Sequence, residues 1–146
     1  MENRLSAGVF GLGRRWRRFR AALTGPDSLF EVRTVADSSL QRALNVARKL
    51  QCEVADGVDD LLGRSDVLFL FDSSWQGLWP LERAIYAGKK VFCAVPLTCE
   101  EELSGSLKRW SREPSLPVMI SQPAGLVPAV ALLRAMLQNH LGPAQT

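Results

Sequence analysis

The sequence predicts an α/β fold: a doubly wound parallel sheet of about six strands with helices on both faces. Three observations predict it. Short apolar runs rich in β-branched and aromatic residues alternate with amphipathic stretches along the chain. The runs are nearly continuous, VLFLF at Val67–Phe71 above all, as in strands covered on both faces. Gly11 and Gly13 stand between the first apolar run and the first amphipathic stretch. The 146 residues read as a single domain, with no internal repeat beyond the alternation and no low-complexity linker.

The expected strands are Ala7–Phe10, Phe30–Ala36, Asp66–Phe71, Lys90–Ala94 and Pro117–Ser121. The expected helices are Arg14–Leu23, Ser39–Leu50, Val58–Leu62, Pro80–Ala87, Cys99–Trp110 and Val127–Leu141. Asp37 or Ser38 can cap the second helix, whose Leu40, Ala43, Leu44 and Ala47 share a face. Gly88 supplies the left-handed residue that ends the fourth helix. Thr98 and Glu101 have capping-box spacing ahead of Leu103 and Leu107. Val9, Val35, Leu68, Leu70, Val91 and Met119 are expected in the core. Trp75, Leu78 and Trp79 follow the fourth strand, where a loop is expected, and two indoles there need cover from the domain or from a partner.

Composition narrows the function classes. Apolar residues make up 47% and charged residues 23%, which excludes a disordered chain. No apolar run approaches the ~18 residues of a membrane span. The start, MENRLSAGVF, lacks an apolar core followed by a cleavage site. Cys52, Cys93 and Cys99 show no CxxC spacing and read as reduced thiols of a cytoplasmic protein, with no metal site. Net charge is +3, yet without Arg14, Arg15, Arg17, Arg18 and Arg20 it is −2, so the basicity is local. No aromatic platform accompanies these arginines, and nucleic-acid binding is the least favoured reading.

Gly11-Leu12-Gly13 is the turn that lets a backbone approach a pyrophosphate at a helix N-terminus. Asp37 ends the second strand 21 residues after Trp16, where a carboxylate accepts hydrogen bonds from an adenosine ribose. A plain glycine turn and a helix-capping aspartate are the simpler alternatives. The third small position of the pattern is Trp16, on one helical face with Phe19 and Leu23. An indole there is expected to shift the helix and weaken the phosphate site. Arg14 or Arg15 can pair with a phosphate or lie on a solvated face.

AIYAGKKVFCAVPL (Ala84–Leu97), VADSSLQRA (Val35–Ala43) and the glycine turn resemble the glucose–fructose oxidoreductase and inositol dehydrogenase family, Gfo/Idh/MocA. The resemblance implies an N-terminal Rossmann domain that binds NAD or NADP, followed by a substrate domain. Leu141-Gly142-Pro143 falls about where that second domain begins, so either the chain is part of a longer protein or it is a one-domain relative. A missing second domain is expected to leave surface for self-association or docking.

The resemblance also marks departures. The family's Glu-Lys-Pro, with its catalytic lysine, is Ala94-Val95-Pro96 here, and valine exchanges no proton. The family's Thr-Pro pair beside the cofactor falls on Asp72 and Ser73, where a carboxylate repels a pyrophosphate. A histidine frequent in the family falls on Gly77, and the single histidine, His140, reads as a helix-end residue. The expected cofactor contacts are therefore Gly11, Leu12, Gly13, Arg14, Arg15, Asp37, Ser38, Asp72 and Ser73, with no catalytic residue. Asp37 favours NAD over NADP, although Ser38, Ser39 and Arg42 leave room for a 2′-phosphate. Binding is expected to be weak or vestigial. The chain is then an oxidoreductase-family domain without dehydrogenase activity, or a non-catalytic interaction or sensing module.

Overall fold

The computed structural model describes residues 4–95, 109–110, 112–113 and 117–120. The elements alternate as β1 (Leu5–Phe10), α1 (Arg14–Thr24), β2 (Phe30–Ala36), α2 (Leu40–Leu50), β3 (Glu53–Val54), α3 (Val58–Gly63), β4 (Val67–Leu70), α4 (Trp79–Tyr86), β5 (Lys90–Cys93) and β6 (Val118–Ile120). The six strands form one sheet in the order β3-β2-β1-β4-β5-β6. Every pairing is parallel. The sheet winds from β1 outward in both directions, so the point where the order reverses lies between β1 and β4, the strands flanking the glycine turn.

Side-chain alternation along the strands divides the core into two layers. Val67, Phe69 and Phe71 join Trp16 and Leu23 of α1 and Ala43 and Ala47 of α2 on one face. Leu68 and Leu70 join Val58 and Leu61 of α3 and Leu81 and Ala84 of α4 on the other. β2 departs from strict alternation. Its register against β1 slips between Ala7 and Gly8, which pair with Val32 and Thr34 and leave Arg33 as an extra residue. Val32 and Val35 consequently both reach the first layer despite their odd spacing.

Ser39, not Asp37 or Ser38, caps α2: its Oγ accepts a hydrogen bond from Arg42 N at 3.3 Å. Asp37 is engaged elsewhere, as described below. Gly88 follows α4 with φ +66°, as expected. β3 is an additional strand, two residues long and too short to register as a periodic run. Val9, Val35, Leu68, Leu70 and Val91 are buried, but Met119 is 64% exposed. Met119 lies on the edge strand β6, so its outer face meets no described helix. Of the expected helix Cys99–Trp110 only Arg109 and Trp110 are described, and they are helical. The helix Val127–Leu141, the Thr98–Glu101 capping box, Cys99 and His140 lie outside the described residues. Among the described residues no helix is long and apolar enough to cross a membrane.

Candidate functional site

β1 delivers the chain to the carboxyl edge of the sheet at Phe10, and the turn to α1 starts at once. Gly11 takes φ +89° and donates from N to Ala36 O at 2.8 Å. A Cβ on Gly11 would overlap the backbone N and O of Asp72, so both the dihedral and the close approach demand glycine. Around Gly13 the reverse holds: a Cβ there would meet nothing within 4 Å. The first glycine makes the turn and the second leaves open space at the helix start. That opening is the observation that fits the turn to a phosphate approaching the backbone.

Asp37 closes the turn from the β2 side. Its Oδ2 accepts from Leu12 N at 2.7 Å and its Oδ1 from Ser39 N at 2.8 Å. Arg42 Nη1 lies 3.0 Å from Oδ1 and 3.3 Å from Oδ2. The Asp37 side chain is only 2% exposed, against 50% for Arg42. A carboxylate so withdrawn from water requires these donors. It therefore ties β2 to the glycine turn, and Arg42 lies over it on the solvent side.

The opposite wall is Asp72. Its backbone packs against Gly11, and its N donates to Phe10 O at 3.3 Å. Its Oδ1 accepts from Ser74 N at 2.9 Å, so the carboxylate helps to shape its own loop. Ser73 is buried, and Ser38 is exposed beside Asp37. Val95 is half-buried at the end of β5 and packs against the second layer.

Helix α1 starts without a side-chain cap and without an acidic residue in its first turn. Arg15 turns from the helix start toward β4, where Nη1 donates to Phe71 O at 3.3 Å. Arg14 is exposed. Among the described residues, none of the arginines of α1 has an acidic partner, whereas Arg33, Arg42 and Arg83 each have one and Arg64 has two. Two cations and uncapped amides at the positive end of a helix dipole favour an anion there. Trp16 points inward and is 2% exposed, with its ring centroid 6.2 Å from that of Phe71. Its layer includes the small, buried Ala7 and Ala94.

Gly11, Leu12, Asp37 and Asp72 thus come together around one turn. Arg15 joins them at the end of β4, and Ser73 stays below the surface. Sequence reasoning missed two features. Arg42 pairs with Asp37, a contact signalled by its place in the first turn of α2. The indole of Trp75 stacks on Phe10, which no local pattern announced. Among the described residues no group of His, Cys, Asp and Glu gathers as a metal ion requires. A depression of about 460 Å³ along β2 and β3, lined by Glu31, Arg33, Cys52 and Arg64 among others, lies at the far edge of the sheet.

The family model described as "Oxidoreductase family, NAD-binding Rossmann fold" (Gfo/Idh/MocA) matches residues 5–120. Among solved structures, UDP-N-acetylglucosamine 3-dehydrogenase from Acidithiobacillus ferrooxidans is 27% identical, with TM-score 0.69 over 91% of this chain and 42% of that one. A 3-ketoreductase from Actinomadura kijaniata, in complex with NADP and TDP-benzene, is 27% identical, with TM-score 0.71 over 93% of this chain and 42% of that one. The scyllo-inositol dehydrogenase from Lactobacillus casei, with bound NAD(H) and scyllo-inositol, shares the fold at TM-score 0.76 and 17% identity, over 93% of this chain and 41% of that one. The chain therefore spans less than half the length of these enzymes. No curated protein matches it by sequence.

Proposed function

The chain belongs to the Gfo/Idh/MocA oxidoreductase family with its NAD-binding Rossmann fold, and on that premise we propose that it holds NAD(P) weakly and, as this chain, transfers no hydride. The observation that carries the binding half is the start of α1: an open second glycine, uncapped amides and Arg14 and Arg15 beside them. These groups would hold the pyrophosphate, and the nicotinamide, when bound, supplies the hydride chemistry. What this chain lacks is a proton-exchanging group at the end of β5, where the resemblance puts a lysine and the residue is Val95.

Weakness follows from two side chains. Trp16 occupies the position of a small residue between α1 and the sheet, and a shift of about 1 Å degrades several hydrogen bonds at once. Asp72 puts negative charge on the wall facing the turn. Asp37 favours NAD, and Arg42 narrows that preference because it is the cation a 2′-phosphate would meet. One 27% identical relative is named for a nucleotide sugar and the other was solved with TDP-benzene, which supports a nucleotide-linked sugar as the substrate of a fuller protein. Trp79 and Tyr86, 45% and 70% exposed on α4, support association with a second domain or a second copy. A cytoplasmic setting is supported by the free thiols of Cys52 and Cys93, both of which burial pushes up, Cys52 to about 11.

Calorimetric titration of NAD(H) and NADP(H) into the chain tests the proposal. The expected dissociation constants lie at about 0.1–1 mM, with NAD the tighter ligand. Binding near 1 μM, or hydride transfer by the unmodified chain, would overturn it.

A further inference from the structure

The Trp75 indole lies parallel to the Phe10 ring, with centroids 4.9 Å apart and planes 13° from parallel. Phe10 is the last residue of β1, and its register partners are Ala36 on β2 and Leu70 on β4. The next residues on β1 and β2 are Gly11 and Asp37. The stack therefore stands at the carboxyl edge of the sheet, beside the glycine turn and next to the strand end that carries Asp37. Phe10 is 2% exposed, while Trp75 is half-buried. One indole face is backed by a ring and part of the side chain reaches solvent.

The loop that presents Trp75 is fixed by its own hydrogen bonds. Ser74 N donates to Asp72 Oδ1 at 2.9 Å, Gln76 N donates to Ser73 O at 2.8 Å, and Gly77 takes φ +59°. A rigid aromatic surface loses little freedom when a flat ring is laid on it.

We propose that Trp75, backed by Phe10, is the platform on which the adenine ring of a bound dinucleotide stacks. The inference rests on the dinucleotide reading above and deepens it. With the phosphate at the turn and the ribose at the end of β2, the base would lie along the same edge of the sheet as this indole, which stands on the residue before Gly11. Stacking on an indole is independent of the phosphate geometry that Trp16 disturbs. It moves binding energy from the pyrophosphate to the base, and the chain becomes an adenine-nucleotide binder more than a nicotinamide binder.

The test titrates AMP and nicotinamide mononucleotide into the whole chain, into Trp75→Ala and into Trp75→Phe, and follows the adenine H2 and H8 resonances of AMP with the unmodified chain. AMP is expected to bind better than nicotinamide mononucleotide, with its H2 and H8 signals shifted upfield by the indole ring current. Trp75→Ala should weaken AMP about tenfold or more, within the range for base–aromatic stacking, and Trp75→Phe should keep most of the affinity. If Trp75→Ala does not fold, the resonance shifts of AMP with the unmodified chain decide. AMP binding that is unchanged or tighter in Trp75→Ala, or an absent upfield shift, would overturn the platform alone. Failure of the unmodified chain to bind either NAD or AMP would overturn the dinucleotide reading, and the platform with it.

Discussion

On the β1–β2 side of the carboxyl edge, a positive-φ glycine, a buried carboxylate and the amides of Leu12 and Ser39 form a closed set of hydrogen bonds. On the β4–β5 side, the corresponding positions hold Asp72, which bonds within its own loop, and Val95, which packs apolar surface. The first region is a tight glycine turn with open space at the start of α1. The second ends its strands on a carboxylate bound within its own loop and on an apolar side chain. The difference teaches that neighbouring strand ends on one edge of a parallel sheet can carry side chains of unlike chemistry on one backbone frame. The turn between β1 and α1 cannot change freely, because its residues also hold the fold. Asp37 joins two strands, and Gly11 lets Asp72 approach.

The largest effect expected concerns Trp16. Trp16→Gly removes a fully buried indole and places glycine in a helix, and should cost about 4–5 kcal/mol by urea denaturation. Combined with Asp72→Thr, the folded fraction should bind NAD more tightly than the unmodified chain, with hydride transfer still undetectable. Unchanged affinity would show that Trp16 and Asp72 do not weaken the phosphate site. The two glycines come next. Gly11→Ala meets both a φ of +89° and the backbone of Asp72, and should cost about 3 kcal/mol. Gly13→Ala should cost less, about 1 kcal/mol, since nothing lies within 4 Å and what is lost is the advantage of glycine over alanine at a helix N-cap. Equal thermal shifts in the two variants would break the distinction between the turn-making glycine and the open one.

Asp37→Ala leaves two amide donors without their acceptor and should cost about 2 kcal/mol, with loss of NAD affinity. Arg42→Ala removes a half-exposed partner and should change stability by about 1 kcal/mol or less. It should lower NADP affinity more than NAD affinity, which a pair of titrations measures. The smallest effect lies at the opposite end of the strands. Asp66 accepts from the hydroxyl and the amide of Ser6, which hold its carboxyl below the usual range, helped by Lys89 and Lys90. Its contribution is present above the unfolded carboxylate pKa and is lost as pH falls through the lower folded value. Asp66→Asn should flatten that acid limb of the stability profile and leave nucleotide binding untouched. A change in NAD affinity would couple two ends that the comparison treats as separate.

The sequence by itself determined the alternation of strands and helices apart from β3, the parallel sheet and the glycine turn. These depend on local signals: the period of apolar residues, short strands between turn residues, and glycine where a positive φ follows β1. It also placed Asp37, Asp72 and Val95 at strand ends, because position along a strand is a local property. Only the tertiary structure decided what those side chains face. Asp37 turned inward because Leu12 N, 25 residues away, needed an acceptor beside a buried carboxylate. Met119 became exposed because β6 lies at the sheet edge, and strand order is fixed by long-range pairing that a linear pattern does not encode. Trp75 met Phe10 across 65 residues of chain, in a stack that exists only once β1 and β4 lie side by side.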